Sequence, residues 1–279
     1  MKPNPIMHRP SRANVLRTSV LTIAITGALT GVAFAAVIVG TEGNDALLGT
    51  PQPDRISALG GNDTVFGLGG SDRINGGDGN DTINGDASLT CPPGATSISY
   101  CSFSDDETNG GNDRISGEDG DDSIEGGRGN DVITAGLGTD EIDGEAGNDR
   151  LDGGGGVDRV IGGRGNDHLT GDSGGDSLTG NSGNDRITGN SGDDRLDGDS
   201  GNDRLSGNSG DDKLTGDNGN DRLIGGLGND AFNAGAGNDR IFARDGRRDT
   251  VNCGAGRDVV TADRIDAVFS NCERVIRRR

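Results

Sequence analysis

Tryptophan is missing from the 279 residues, tyrosine occurs once, and aromatic residues make up only 3% of the chain. Hydrophobic residues of every kind reach 29%. That is too little apolar side chain for a conventional globular core at this length. Proline occurs seven times and glycine does not recur at every third position, so a collagen-like helix is excluded. Basic residues are few: 26 Lys and Arg against 46 Asp and Glu leave a formal net charge of −20. Phosphate backbones would be repelled, which argues against nucleic acid as a partner. Histidine is found only at His8 and His168. No His-Glu-x-x-His stretch occurs, so there is no zinc-protease signature, and without any Gly-Lys dipeptide there is no phosphate-binding P-loop. A Ser-His-Asp triad would have to use His168, which lies inside a repeat with no cleft to frame it.

What the chain has instead is glycine, 54 residues of it, in a strict period. From Gly180 to Gly225 one nine-residue phrase is repeated five times, each with an aspartate (Asp185, Asp194, Asp203, Asp212, Asp221) and an aliphatic residue two places on. The register continues through Asp230 and Asp239, and back in nines through Asp176, Asp167, Asp158, Asp149, Asp140, Asp131 and Asp122 to Asp113. After an interruption it reappears at Asp81, Asp72, Asp63, Asp54 and Asp45, and all twenty copies carry Ile, Leu, Val or Phe two residues past the aspartate. A fixed period in a chain this poor in apolar residues indicates a solenoid with a thin core rather than disorder.

The residue types suit a stacked turn that holds a cation. Glycine permits positive φ and a close approach of one backbone to the next. Where the second glycine of a copy is replaced, it becomes Asn181, Asn190, Asp199, Asn208 or Asp217, which also tolerate the left-handed region. Calcium takes six to eight oxygens, carboxylate and carbonyl alike, and turns of Gly, Asn and Asp offer both. Aspartates stacked about 5 Å apart repel one another by roughly 1–3 kcal/mol per pair, so a roll without a divalent cation should not close.

Gly76-Gly77-Asp78-Gly79-Asn80-Asp81-Thr82-Ile83-Asn84 satisfies every position of the pattern G-G-x-G-x-D-x-U-x, where U is a large aliphatic, as do residues 126–134 and 162–170. The phrase resembles the repeats-in-toxin, or RTX, haemolysin-type calcium-binding nonapeptide. The likeness extends over roughly residues 40–260. It implies an all-β fold, a right-handed parallel β-roll with six-residue turns, three-residue strands and two copies per coil. It implies several calcium ions held between stacked turns by aspartate carboxylates and turn carbonyls. The expected ligands are Asp63, Asp72, Asp81, Asp113, Asp122, Asp131, Asp140, Asp149, Asp158, Asp167, Asp176, Asp185, Asp194, Asp203, Asp212, Asp221, Asp230 and Asp239. Asp45 and Asp54 are left out, because Thr41 replaces a glycine in the first copy and Gln52-Pro53 distort the second turn.

Residues 1–35 read as a cleaved signal peptide: Lys2, Arg9, Arg12 and Arg17, then the mainly apolar Val20–Val32, then Ala33-Phe34-Ala35. Thirteen apolar positions are too few for a typical membrane span, and no second candidate span follows in the mature chain. Its removal takes the formal charge from −20 to −24 and implies a secreted, extracellular product. Residues 36–86 then hold an N-terminal cap, Val37-Ile38-Val39, and the first roll copies. Residues 87–108 form an insertion in which Cys91 and Cys101 are expected to pair. The main roll runs over 109–243, and 244–279 is a C-terminal cap in which the register slips by one, to Asp249 and Asp258, and Cys253 pairs with Cys272. An EF-hand starting at Asp197-x-Asp199 fails, because Asn202 and Asn208 stand where Gly and Glu are required.

The residue between aspartate and aliphatic should point outward. Every second copy gives Arg55, Arg73, Arg114, Val132, Arg150, His168, Arg186, Arg204, Arg222 and Arg240, eight arginines in ten positions. The alternate set holds three basic residues, Arg159, Arg195 and Lys213. This phase persists across the insertion, so the roll should be continuous, with arginines on one sheet. They either offset neighbouring carboxylates or dock an extended anionic polymer such as a wall or matrix polysaccharide. The expectation is a secreted, non-enzymatic protein that folds on calcium into a rigid roll and serves surface or matrix attachment. Its rival is a secreted enzyme with its site in the 87–108 loop or the C-terminal cap.

Overall fold

The structure, a computed structural model, describes residues 35–86, 88–90, 102–104 and 110–277. The segment read as a signal peptide and the expected Cys91–Cys101 pair lie outside these residues. Within them every regular element is a strand, and all but two short two-stranded pairs belong to two parallel sheets between which the chain alternates. One sheet has thirteen strands and the other twelve, each strand hydrogen-bonded to the next but one in sequence, which is a β-solenoid of about twelve coils. Among the described residues no helix is long and apolar enough to cross a membrane.

Each coil follows from the nonapeptide. In Arg195-Leu196-Asp197 the middle residue is buried and its neighbours face outward, the alternation a strand requires. All twenty aliphatics of the repeat are buried, from Leu47 to Ile241, together with Val251 and Val260. They stack in register one coil apart: Leu196 faces Leu214 on one sheet and Leu205 faces Leu223 on the other. Each such side chain contributes about 1.5–3 kcal/mol when removed from water, and a copy supplies only one. The core is two facing columns.

Several strands are longer than the three residues expected. Arg186–Ser191 and Arg204–Ser209 have six, because Asn190 and Ser191 of the following turn pair with Asn208 and Ser209 one coil on. Positive φ at the second turn position (80° at Asn190, 77° at Asn208) returns the chain to the sheet after the bend. All five Asn and Asp replacements foreseen for the left-handed region adopt it, as does Asp172, a further replacement of the same kind, and so do Leu59, Leu68, Glu118 and Glu145, where no such preference was expected.

The roll is continuous across the insertion. Arg73 pairs with Arg114 and Thr82 with Ser123, so the coil before residue 87 stacks directly on the coil after residue 110. The described part of the insertion is an antiparallel pair of strands, Ser88–Thr90 with Ser102–Ser104. At the N-terminus Val37–Val39 pairs with Arg55–Ser57 as the first rung, with Ile38 packed on the core. The C-terminal segment caps the roll by extending it: Thr250–Asn252, Val259–Ala262, Ala267–Val268 and Arg274–Arg277 join the same two sheets. Cys253 and Cys272 form the disulfide expected of them, with Cys253 in the core.

Candidate metal centre

The repeat aspartate closes each turn just before the strand and points back under it. Its Oδ1 accepts the backbone N–H of the aspartate one coil earlier: Asp185 N donates to Asp203 Oδ1 at 2.7 Å, and Asp203 N to Asp221 Oδ1 at 2.8 Å. The other sheet repeats this, with Asp176 N to Asp194 Oδ1 and Asp194 N to Asp212 Oδ1, both at 2.9 Å. The insertion does not break the ladders, since Asp72 N reaches Asp113 Oδ1 at 2.8 Å and Asp81 N reaches Asp122 Oδ1 at 2.7 Å.

The second oxygen is different. In each of Asp63, Asp72, Asp81, Asp113, Asp122, Asp131, Asp140, Asp149, Asp158, Asp167, Asp176, Asp185, Asp194, Asp203, Asp212, Asp221, Asp230 and Asp239, Oδ2 is buried without a hydrogen-bond partner. These are the eighteen positions singled out from the sequence, and the fold places all of them in two columns, one per sheet. A buried acceptor without a donor costs about 1–3 kcal/mol, and more when charged. Oδ2 lies over the first glycine of the same turn: a Cβ on Gly198 would stand 2.6 Å from Asp203 Oδ2, and one on Gly162 the same distance from Asp167 Oδ2. Only glycine leaves this pocket open.

Burial lifts these carboxyls far above their ordinary range. Desolvation is the largest cause, the N–H from the previous coil opposes it, and neighbouring carboxylates add to it. Asp72 is raised to about 8, Asp203 and Asp212 to about 7, Asp185 and Asp221 to about 6. Near neutral pH each column must therefore hold protons or a cation. A row of hard carboxylate oxygens turned into glycine-lined pockets fits calcium: the aspartates would hold the ion, and the ion would supply the positive charge that the column lacks.

The ends of the columns are satisfied by the chain itself. Asp45 Oδ2 accepts from Thr41 N (2.5 Å) and Thr41 Oγ1 (2.8 Å). Asp54 accepts from Ala36 N, Thr50 N and Thr50 Oγ1. The irregular first copies thus close the columns with hydrogen bonds, each from a threonine where a glycine would stand. At the other end Asp266 Oδ2 takes Asp263 N, and Glu273 Oε2 takes Asp258 N at 2.9 Å. One residue with an unpartnered Oδ2, Asp258, was missed as a ligand candidate. Its signal was the one-residue slip after Asp239, which the ladder absorbs: Asp239 N still reaches Asp258 Oδ1 at 2.9 Å across nineteen residues.

A second acidic group lies outside the columns. Asp197, Asp199 and Asp217 bring carboxylate oxygens within 4.8 Å of one another, half-buried, the one such trio among the described residues. Burial and then the charges of Asp199 and Asp217 raise the Asp197 carboxyl. The Asp197-x-Asp199 pair that fails the EF-hand pattern is thus joined by a residue one coil on from Asp199, a proximity only the stacking shows.

Two columns of buried, half-satisfied carboxylates between glycine turns of a parallel solenoid define a cation-binding β-roll. The family model described as the RTX calcium-binding nonapeptide repeat (four copies) matches residues 39–74, 59–88, 107–142, 134–169, 170–205, 197–232 and 206–241. The chain belongs to that family, and is a repeat protein of the calcium-binding kind. A search of curated proteins finds no match.

Proposed function

We propose that this is an exported, non-catalytic protein that folds on calcium outside the cell into a rigid rod, and that the rod attaches to an anionic polysaccharide or another component of a cell surface or matrix. The observation that carries the reading is the set of eighteen buried Oδ2 atoms without partners, in unbroken register from Asp63 to Asp239. With one aliphatic residue buried per nine, core burial does not offset the cost of ordering the chain and of stacking its carboxylates. Metal-binding free energy would then act as folding free energy. The basic, then apolar, then small-residue pattern of residues 1–35 supports export, to a compartment where calcium is abundant and the Cys253–Cys272 bond persists.

Far-ultraviolet circular dichroism and size-exclusion chromatography of the chain without residues 1–35 test the folding claim. Excess chelator should give an expanded coil, and millimolar calcium a compact β spectrum. Magnesium should do far less, because it demands octahedral geometry and dehydrates reluctantly. Spectra that coincide in chelator and in calcium would end the reading. A hydrolase screen on the calcium-loaded protein tests the non-catalytic claim, and turnover lost on removal of the 87–108 loop would restore the enzyme alternative.

A further inference from the structure

The arginines in phase on every second copy form one column, as expected: Arg55, Arg73, Arg114, Val132, Arg150, His168, Arg186, Arg204, Arg222 and Arg240 are register partners along the thirteen-stranded sheet. The sequence left two explanations of them, charge compensation or a ligand. Compensation predicts a carboxylate beside each. On the twelve-stranded sheet two of the three basic residues have one, Arg159 on Glu141 at 2.6 Å and Arg195 near Asp197 at 3.9 Å, while Lys213 has none among the described residues. Among the described residues none of Arg186, Arg204, Arg222 or Arg240 has a carboxylate within ion-pair distance. Their strands, Arg186–Ser191, Arg204–Ser209, Arg222–Leu227 and Arg240–Ala243, contain no acidic residue at all.

The turn edges are sorted in the same sense. The edge leading into these strands presents Asn184, Asn202, Asn220 and Asn238, each amide nitrogen donating to the previous Oδ1 at 2.9–3.0 Å. Every one of those side-chain nitrogens keeps a second N–H to offer. At the equivalent place on the opposite edge stand the exposed Asp193 and Asp211. In a chain of net charge −20, fully exposed acids are thus kept off this position, half-buried Asp199 and Asp217 standing earlier in two of the turns. Guanidiniums without a carboxylate partner are stacked along the strip against their mutual repulsion.

The strip has a shape as well as a charge. Arg186, Arg204, Arg222 and Arg240 line a shallow groove of about 490 Å³ floored by Thr188, Ser206 and Ile224. Arg222 is steadied by the Phe242 ring, 4.0 Å from its guanidinium carbon. Guanidinium forks repeat here at the strand spacing, about 4.8 Å. A planar fork pairs bidentately with a carboxylate. One carboxylate per strand is the density of a linear chain that carries one on each sugar ring. Single-stranded nucleic acid fits less well, since no Phe, Tyr or Trp among the described residues lines the groove and the nearby Phe242 ring is already covered by Arg222.

We infer that the Arg186–Arg240 strip is a docking groove for a linear polyuronate, laid along the roll axis with its carboxylates on successive arginines. The groove exists only on the closed roll, so the inference rests on the calcium-folding reading above. The test uses the calcium-saturated chain and isothermal titration with a short oligogalacturonate, the probe, with its methyl ester and a single-stranded DNA oligonucleotide as competitors. The triple variant R186Q/R204Q/R222Q should lose on the order of 10- to 100-fold in affinity, while R159Q/R195Q/K213Q, which removes as much charge from the other sheet, should lose less than about 3-fold. Circular dichroism in calcium checks each variant, so a protein that does not fold counts against the folding reading and not against the groove. The wild-type competition depends on no variant. Absence of binding by the wild type, equal losses in both triples, or equal competition by the ester or the DNA would each overturn the inference.

Discussion

A carboxyl with one oxygen bonded and one bare responds differently from one with both satisfied. Asp203 and Asp54 are equally buried and equally in register, but Asp203 Oδ2 has no partner while Asp54 is met by Thr50 and Ala36. Asp203→Asn should raise the calcium concentration at half-folding several-fold, about 1–2 kcal/mol, and lower the number of ions bound. Asp54→Asn, which turns an amide nitrogen toward Ala36 N or Thr50 N, should cost stability with the ion count unchanged. Calcium titrations by circular dichroism with equilibrium dialysis read the difference, and an unchanged ion count in Asp203→Asn would deny the ladder its ions. The raised carboxyls also set a pH dependence. In the metal-free roll Asp185, Asp203 and Asp72 stand at about 6, 7 and 8, against 3.8 for an ordinary aspartate. The folded chain therefore binds more protons than the unfolded chain, and its stability is present below about pH 4 and lost as pH rises through 6–8. In chelator the protein should be more compact near pH 5 than near pH 8. With calcium the sign reverses, because the ion displaces those protons, so affinity should fall as pH drops through 7 to 6. A chelated protein that gains β structure on raising the pH would contradict this account.

The element that decides whether coils stack is the turn, and within it the fourth position. Gly201 has φ of 148°, and a Cβ there would come 1.4 Å from the carbonyl oxygen of Gly183 one coil away. Gly183 bears the same relation to Gly165, so the column has no slack. Gly201→Ala should cost on the order of 3 kcal/mol, since both the backbone angle and the coil spacing must change. Gly43→Ala, whose Cβ would meet nothing nearer than Thr41 Oγ1 at 3.9 Å, should be close to neutral. Calcium-dependent melting of both variants gives the comparison, and a stable Gly201→Ala roll would show that the turns can spread.

For the whole molecule the coils on either side of the insertion stack as one roll, with no joint between two. The ladder step there is 41 residues in place of 18, a surplus of 23. Excising residues 87–109 would join Asp86 to Gly110 and restore a copy reading Gly85-Asp86-Gly110-Gly111-Asn112-Asp113. Calcium-induced folding of the excised chain should match that of the parent within about 1 kcal/mol, since closing a surface loop depends only weakly on its length. Scattering that shows two separately moving bodies would instead place a joint at the insertion.

Much of this was legible from the chain because a short-period solenoid is nearly one-dimensional. The nine-residue phase assigns every aspartate to a turn and every aliphatic to the core, and the alternation of outward residues assigns Arg186, Arg204 and Arg222 to one sheet. Stacking settled what a linear pattern does not contain. It showed that Thr41 and Thr50 satisfy Asp45 and Asp54, so the irregular copies close the columns. It carried the ladder across the slip to Asp258 and ended it on Glu273, because a hydrogen bond across nineteen residues needs only the right height in the column. It joined Asp217 to Asp197 and Asp199, and among the described residues it left Arg186, Arg204, Arg222 and Arg240 without the carboxylates that Arg159 and Arg195 possess. Period decides which residues share a column. Which atoms in that column find a partner depends on distances across coils, and those exist only once the chain has closed on itself.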